Sequence, residues 1–502
     1  MTQRLSRGVP DASRILQVSA RPLGLLMALL ACTMLATALV GLLLGSVAGA
    51  GHMGLSAAIT ALFGAGALAL GRGLDDAQIG RREALLIVTL GWVALGVFGG
   101  LPFVIGADFT PVDALFESVS GFTTTGASIL PEINRRLNPA LHFWRTLTHW
   151  IGGLGFVVLF VAVFPALGVG GKRLFQGEVA GPRGKSLTPR IRETSLGLWR
   201  VYTALTLTMT GLLWLSGVSL SESMMHAFAA MGTGGFSTRN LSIAELGADP
   251  GVNGVAVDVV MTVFMLLAGM NFGLFYDATR RGPKVILKDP EARAYIWIIG
   301  VASVLCALAI LPQVGHIGQA LRYSAFSVVS VITTTGFMNY DFETFPTFGK
   351  LVLLPLFFIG GCGGSTSGGM KVIRLLFLMK VVLIEAQRSF RPNLIAPVRV
   401  GEGAVPSADL FEAVSVMGLF VVTVGAGGAL VALFDPVDGT TAMTAALACV
   451  ANVGPGFGAV GPTENFGFFS DSSKLVLSAC MLLGRLEFLT VLALFAPGFW
   501  RR

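Results

Sequence analysis

The chain has 502 residues, 54% hydrophobic and 13% charged, with a formal charge of +7 and a mean hydropathy of +0.76. Soluble proteins carry roughly 25% charged residues, so a soluble globular domain is excluded and an integral membrane protein is expected. The basic residues cap apolar segments, a pattern that sets membrane orientation and argues against a nucleic-acid partner. Five histidines without a nucleophile–base constellation argue against an enzyme. Cys32, Cys306, Cys362, Cys449 and Cys480 lack metal-ligand spacing and read as small packing residues, neither disulfides nor zinc ligands.

Residues 1–22 are polar and basic and are expected to stay in the cytoplasm. Leu23–Gly45 is the first predicted span, longer than the 7–15-residue core of a signal peptide. Gly54–Gly71 returns, and residues 1–83 form a leading unit. A repeating unit then follows: an outward span, a re-entrant half-helix with a polar loop, and an inward span. Residues 84–194 hold Ala84–Gly106, Pro111–Gly121 and Leu141–Gly168. Residues 195–293 hold Leu196–Val218, Glu222–Met231 and Val252–Ala278. Residues 294–406 hold Ala294–Leu311, Ile317–Ile332 and Phe348–Leu383. Residues 407–502 hold Ala408–Phe434, Thr440–Ala451 and Ser473–Phe499. The fold expected is all-α and membrane-embedded: two leading helices plus four helix–loop–helix repeats in pseudo-fourfold arrangement around one pore, ten spans in all.

Orientation follows from the loops. Arg72, Arg81 and Arg82 share one; Lys172, Arg173, Arg183, Lys185, Arg190 and Arg192 share another; Arg280, Arg281, Lys284, Lys288 and Arg293 share a third. Gly106–Glu117 has no Lys or Arg. Positive loops stay inside, so both termini are cytoplasmic and the four half-helices enter from outside.

The polar loops read SVSGFTTTGAS (118–128), AMGTGGFST (230–238), VITTTGFMN (331–339) and VANVGPGFG (450–458). The aligned glycines, Gly126, Gly235, Gly336 and Gly454, are 109, 101 and 118 residues apart. Four such loops on one axis make a ring of backbone carbonyls that can replace the water shell of K+. The candidate ion-binding residues are Thr124, Thr125 and Gly126; Thr233, Gly234 and Gly235; Thr334, Thr335 and Gly336; and Asn452, Val453 and Gly454. Gly456, after Pro455, is the alternative fourth glycine.

Phe358–Met370 reads FIGGCGGSTSGGM, with six glycines inside an inward span. Each glycine costs a helix about 1 kcal/mol against alanine, so residues 360–369 should break the helix and form a movable gate. Its glycines are Gly360, Gly361, Gly363, Gly364, Gly368 and Gly369. Arg485 lies in MLLGRLEFLTVLALF, expected to be mid-span, where a charge costs about 2.5–3.5 kcal/mol and needs a partner. The candidates are carbonyls of residues 360–369 and Glu487. Glu117 and Glu222 are expected at half-helix starts near the outer surface, suited to the helix dipole and to attracting cations. Neither reads as the mid-membrane proton carrier that a coupled secondary transporter would need.

SGFTTTGAS, GGFST, TTTGF and NVGPGFG, with HWIGGLGFVVL (149–159), FIGGCGGSTSGGMKVIR and GRLEFLTVLALFAPGFW, resemble the TrkH family of potassium-uptake proteins in the TrkH/KtrB/HKT superfamily. The resemblance covers nearly the whole chain, including the leading helix pair. It implies K+ uptake across the bacterial cytoplasmic membrane by a homodimer with one pore per subunit. It implies that the glycine-rich loop and Arg485 gate the pore. It also implies a cytoplasmic TrkA-like ring that binds nucleotide, so that no cofactor sits in this chain. Residues 172–193, 280–293 and 385–399 are the expected docking surfaces for that ring. In plant relatives a serine at a filter glycine favours Na+; four glycines here favour K+. The second loop departs from the pattern, and its extra glycines, Gly232 and Gly234, would loosen selectivity.

Overall fold

The computed structural model describes residues 12–72, 80–153, 155, 191–394, 396–401 and 403–500. Two antiparallel helices lead: α1 (Ala12–Leu43) and α2 (Val47–Leu70). They approach closely because Gly24 and Gly64 face each other, and a Cβ on Gly24 would lie 2.8 Å from the Gly64 carbonyl oxygen. Small residues permit such backbone contact between helices in a membrane.

The first repeat comprises α3 (Arg81–Gly99), a short α4 (Leu101–Ala107), half-helix α5 (Pro111–Phe122) and return helix α6 (Pro139–Gly153). The second has α7 (Ile191–Leu215), half-helix α8 (Leu220–Met231), and return helices α9 (Gly254–Ala268) and α10 (Phe272–Arg281). The third has α11 (Pro290–Val314), half-helix α12 (Ile317–Ile332), α13 (Thr347–Ile359) and α14 (Val372–Arg388). The fourth has α15 (Ser407–Phe434), half-helix α16 (Gly439–Ala451), α17 (Asp471–Arg485) and α18 (Phe488–Phe495). A small antiparallel hairpin pairs Arg399–Val400 with Gly403–Ala404.

Three return spans differ from continuous helices. The predicted Val252–Ala278 bends by 91° between α9 and α10, and Ser473–Phe499 bends by 110° between α17 and α18. Residues 360–371 separate α13 from α14. Arg485 is therefore at a helix end beside a break, where the sequence alone places it mid-span. The distal half of Leu141–Gly168 and the loop before residue 191 lie outside the described residues. Five described helices are long and apolar enough to cross a membrane, or seven with each bent pair counted as one span. The expected ten include return spans divided into pieces too short to register alone.

One apolar core runs through all four repeats, while α2, α11 and α15 turn Leu62, Trp297 and Phe411 away from it, each more than 70% exposed. Those faces suit acyl chains. Four cysteines are buried as expected; Cys32 is exposed on α1, and all five are free thiols.

The α1–α2 contact gives a stability test. Gly24→Leu should overpack the crossing and cost about 1–3 kcal/mol, read as a lower melting temperature in detergent. Gly66→Leu, with open space around its Cα, should melt like the parent.

Candidate functional site

Each half-helix runs inward and ends at the centre. Thr110, Ser219 and Asp438 cap the N-termini of α5, α8 and α16 by accepting from Asp113, Glu222 and Thr441 N–H. The C-termini carry the negative ends of the helix dipoles toward the centre, which favours a cation there.

All four C-termini end in the same turn. Thr124, Thr233, Thr334 and Asn452 have φ of 57°, 56°, 56° and 55°. The next N–H, on Thr125, Gly234, Thr335 or Val453, donates back to the carbonyl of Ser120, Ala229, Ser330 or Ala448 at 2.8–2.9 Å. This is a Schellman turn, built three times with threonine and once with asparagine in the left-handed position. One residue further, Gly126, Gly235, Gly336 and Gly454 have φ of 81°, 74°, 81° and 95°. Gly454 thus holds the equivalent place in the fourth loop, and Gly456 does not have positive φ.

These glycines close a ring. A Cβ on Gly126 would overlap the Gly234 carbonyl oxygen, one on Gly235 that of Thr335, one on Gly336 that of Val453, and one on Gly454 that of Thr125. Each repeat therefore presses a carbonyl against the glycine of the repeat before it, in sequence order, and the fourth closes on the first. Eight of the twelve candidate filter residues make these contacts, the four glycines with Thr125, Gly234, Thr335 and Val453; Thr124, Thr233, Thr334 and Asn452 hold the left-handed turn just before them.

Beneath it, residues 360–369 leave helical geometry, with positive φ at Gly360, Gly364 and Gly369. The segment touches three of the four repeats. Thr366 donates to Met231 and Ala268 carbonyls, both at 3.1 Å, and Gly368 N–H donates to Thr334 Oγ1 at 2.7 Å. A Cβ on Gly368 would overlap the Ala451 carbonyl. Arg485 completes the circuit: it donates to Thr366 O at 2.8 Å, to Gly152 and Gly153 carbonyls at 2.6 and 2.9 Å, and to Thr124 Oγ1 at 3.3 Å. Its loop acceptor is thus Thr366, and Glu487 accepts from Arg374 at 2.9 Å.

Several residues were not singled out by the sequence. Glu291, at the start of α11, accepts from Gly363 N–H at 2.7 Å and Ile373 N–H at 3.0 Å, tying the middle of the loop to the first turn of α14. Lys371, with φ of 78°, donates to Ser367 O. An acid and a lysine bounding apolar helices were the available signals.

The placement of Glu117 needs correction. It lies well inside α5, fully buried, and accepts from Arg145 Nε at 2.6 Å. Ser128 Oγ and Ile129 N–H also donate to it. A carboxylate with these partners is a strut and does not collect cations. Glu222 does sit in the first turn of α8, but it accepts from Arg239 Nε at 2.9 Å, and Asp249 accepts from the same guanidinium at 2.8 Å. The Glu222 hydrogen bond, aided by Asp249 and Glu245, holds the Arg239 guanidinium above its usual range.

Four helix–loop–helix repeats closing a ring of carbonyls, inside a sleeve of apolar helices, define a membrane transport protein. The model of the family described as "TrkH: Cation transport protein" matches residues 53–501. The Trk system potassium uptake protein TrkH of Vibrio parahaemolyticus is 37% identical over 495 residues, covering 96% of this chain and 98% of that one. Its namesake from Escherichia coli K12 is 36% identical over 499 residues, at 96% and 98% coverage. The crystal structure of the potassium transporter TrkH from Vibrio parahaemolyticus superposes with a TM-score of 0.84 at 35% identity, covering 97% of this chain and 99% of that one. The chain belongs to the TrkH family, a family of transport proteins and not of enzymes.

The Glu117–Arg145 pair generates a direct test. Removing one partner of a buried pair strands the other charge, at about 3–5 kcal/mol. Glu117→Ala should therefore unfold at clearly lower temperature in detergent. The double change Glu117→Gln with Arg145→Met should recover most of that loss.

Proposed function

We propose that the chain takes up K+ across the bacterial cytoplasmic membrane through a gated, channel-like pore. The observation that carries this reading is the closed ring of neighbouring carbonyls and glycines, each loop in the same backbone conformation. Carbonyls replace hydration without fixed charge, so a dehydrated K+ can enter and also leave. The filter is the twelve residues from Thr124–Gly126, Thr233–Gly235, Thr334–Gly336 and Asn452–Gly454. The membrane potential supplies the drive, at about 2.3 kcal/mol per charge per 100 mV.

Residues 360–369 and Arg485 form the gate. The guanidinium adds a positive charge beneath the ring, and the loop crosses the same place. Opening breaks the Arg485 bonds to Thr366, Gly152 and Gly153 and lets the loop swing aside. A second copy of the chain and a cytoplasmic nucleotide-binding ring of the TrkA type complete the assembly, with both termini cytoplasmic. The ring docks on the basic segments at 172–193, 280–293 and 385–399. Of the first segment, residues 172–190 lie outside the described residues.

Two measurements in proteoliposomes at a clamped potential test this. Gly126→Ser places a side chain against the Gly234 carbonyl at a backbone angle that L residues rarely adopt, so the K+/Na+ flux ratio should fall. An unchanged ratio removes the filter assignment. Arg485→Ala, or loss of a few residues from 361–368, should raise K+ flux in the absence of the partner ring. Folded variants that stay at the closed level would move the gate elsewhere.

A further inference from the structure

The four filter loops are braced in different ways. In the first and third, paired threonines lock the strand to its own half-helix: Thr123 and Thr125 hydroxyls are 2.7 Å apart, as are Thr333 and Thr335. Thr123 and Thr333 also donate to the carbonyls of Val119 and Val329 at 2.7 Å. In the fourth, Asn452 Nδ2 donates to Thr125 Oγ1 at 2.9 Å and to Met481 O at 3.0 Å. The second loop has glycine at both threonine positions, Gly232 and Gly234.

The space those side chains would occupy is full. A Cβ on Gly234 would collide with the His149 imidazole, and one on Gly232 with the His149 carbonyl. The same imidazole stacks on Phe236, with centroids 4.1 Å apart and planes at 18°. Phe236 N–H donates to His149 Nδ1 at 3.4 Å. One helical turn earlier, the Arg145 guanidinium lies 3.5 Å from the Phe236 ring centroid and donates to Ser237 O at 2.9 Å. Residues four apart share a helix face, so α6 of the first repeat presents both groups to the second loop.

We propose that His149 and Arg145 are specificity-determining positioning residues, and that the His149 imidazole replaces in the second filter strand the threonine brace that the first and third strands carry themselves. The inference rests on the filter reading above. Gly232 and Gly234 then do not loosen the filter. They admit a rigid ring from the neighbouring repeat, and Glu117 fixes the guanidinium beside it.

The test is an exchange, read as the K+/Na+ flux ratio of full-length protein in proteoliposomes at fixed potential. His149→Ala should lower the ratio about tenfold, equivalent to about 1.4 kcal/mol of discrimination. Gly234→Thr alone should lower it as well, because the side chain meets the imidazole. The double variant, with a hydroxyl in the vacated space, should discriminate better than either single one. If His149→Ala does not yield a monodisperse protein, His149→Asn replaces it; Asn keeps an acceptor near Phe236 N–H but loses the stacked ring, so an intermediate ratio is expected. A parental ratio in the His149 variant, or a double variant no better than the worse single one, overturns the proposal. Gly336→Ala, distant from His149 in sequence and on the third strand, separates the two readings. If it lowers the ratio while the His149 series does not, only the bracing role fails. If it too leaves the ratio unchanged, the filter reading fails with it.

Discussion

Backbone that is neither helix nor sheet can exist at membrane depth only if the protein itself satisfies its polar groups. Everything at the centre of this chain follows from that constraint. Four half-helices end there, and a helix end leaves carbonyls without intrahelical partners. The Schellman turn consumes some of them and fixes the direction of the rest. Left-handed residues at Thr124, Thr233, Thr334 and Asn452 are the local cost. The return from that strain is a uniform strand geometry in four loops of different sequence.

Arg485 answers the same constraint one layer deeper. The Gly153 carbonyl at the end of α6 and the Thr366 carbonyl in the broken third-repeat span need donors, and the Gly152 carbonyl accepts a second one beside Gly155 N–H. A guanidinium has five N–H groups in a planar fork and can serve all three at once. Lysine could not reach them with the same geometry. The charge itself needs acceptors at this depth, so loop and arginine stabilise each other. Because the contacts come from the first, third and fourth repeats, disturbing any one of these elements loosens the others.

Much of this was legible in the sequence, for physical reasons that differ from element to element. The half-helices were placed within a few residues, since each runs into one of the four recurring polar, glycine-containing loops. The glycine cluster at 360–369 announced a break because six glycines in ten residues, at about 1 kcal/mol each, cost more than so short a stretch of helix recovers. The bends after Ala268 and Arg485 were hidden because each pair of helices is apolar enough to cross a membrane when read as one stretch; hydropathy reports depth and not direction. Glu117 was misplaced for a related reason. An acid near a half-helix start looks solvent-facing until Arg145, 28 residues away, is brought against it. Local pattern cannot reveal an ion pair formed across two helices.

The pseudo-fourfold symmetry is a property of the backbone and not of the side chains that hold it. Repeats of a chain diverge freely wherever a neighbour can supply what one of them lacks, and the ring enforces only what every strand must present toward the axis. That is why the left-handed turn and the positive-φ glycine recur four times, whereas the supports behind them comprise two threonine pairs, an asparagine amide and an imidazole. A homotetrameric filter has no such freedom, since one residue change alters all four strands together. Here the strands are covalently linked and separately addressable, so a change behind one loop alters a quarter of the ring. The second corner, where α6 carries Arg145 and His149 across a repeat boundary, is the place where this asymmetry is greatest. A ring supported unequally will yield first at one corner.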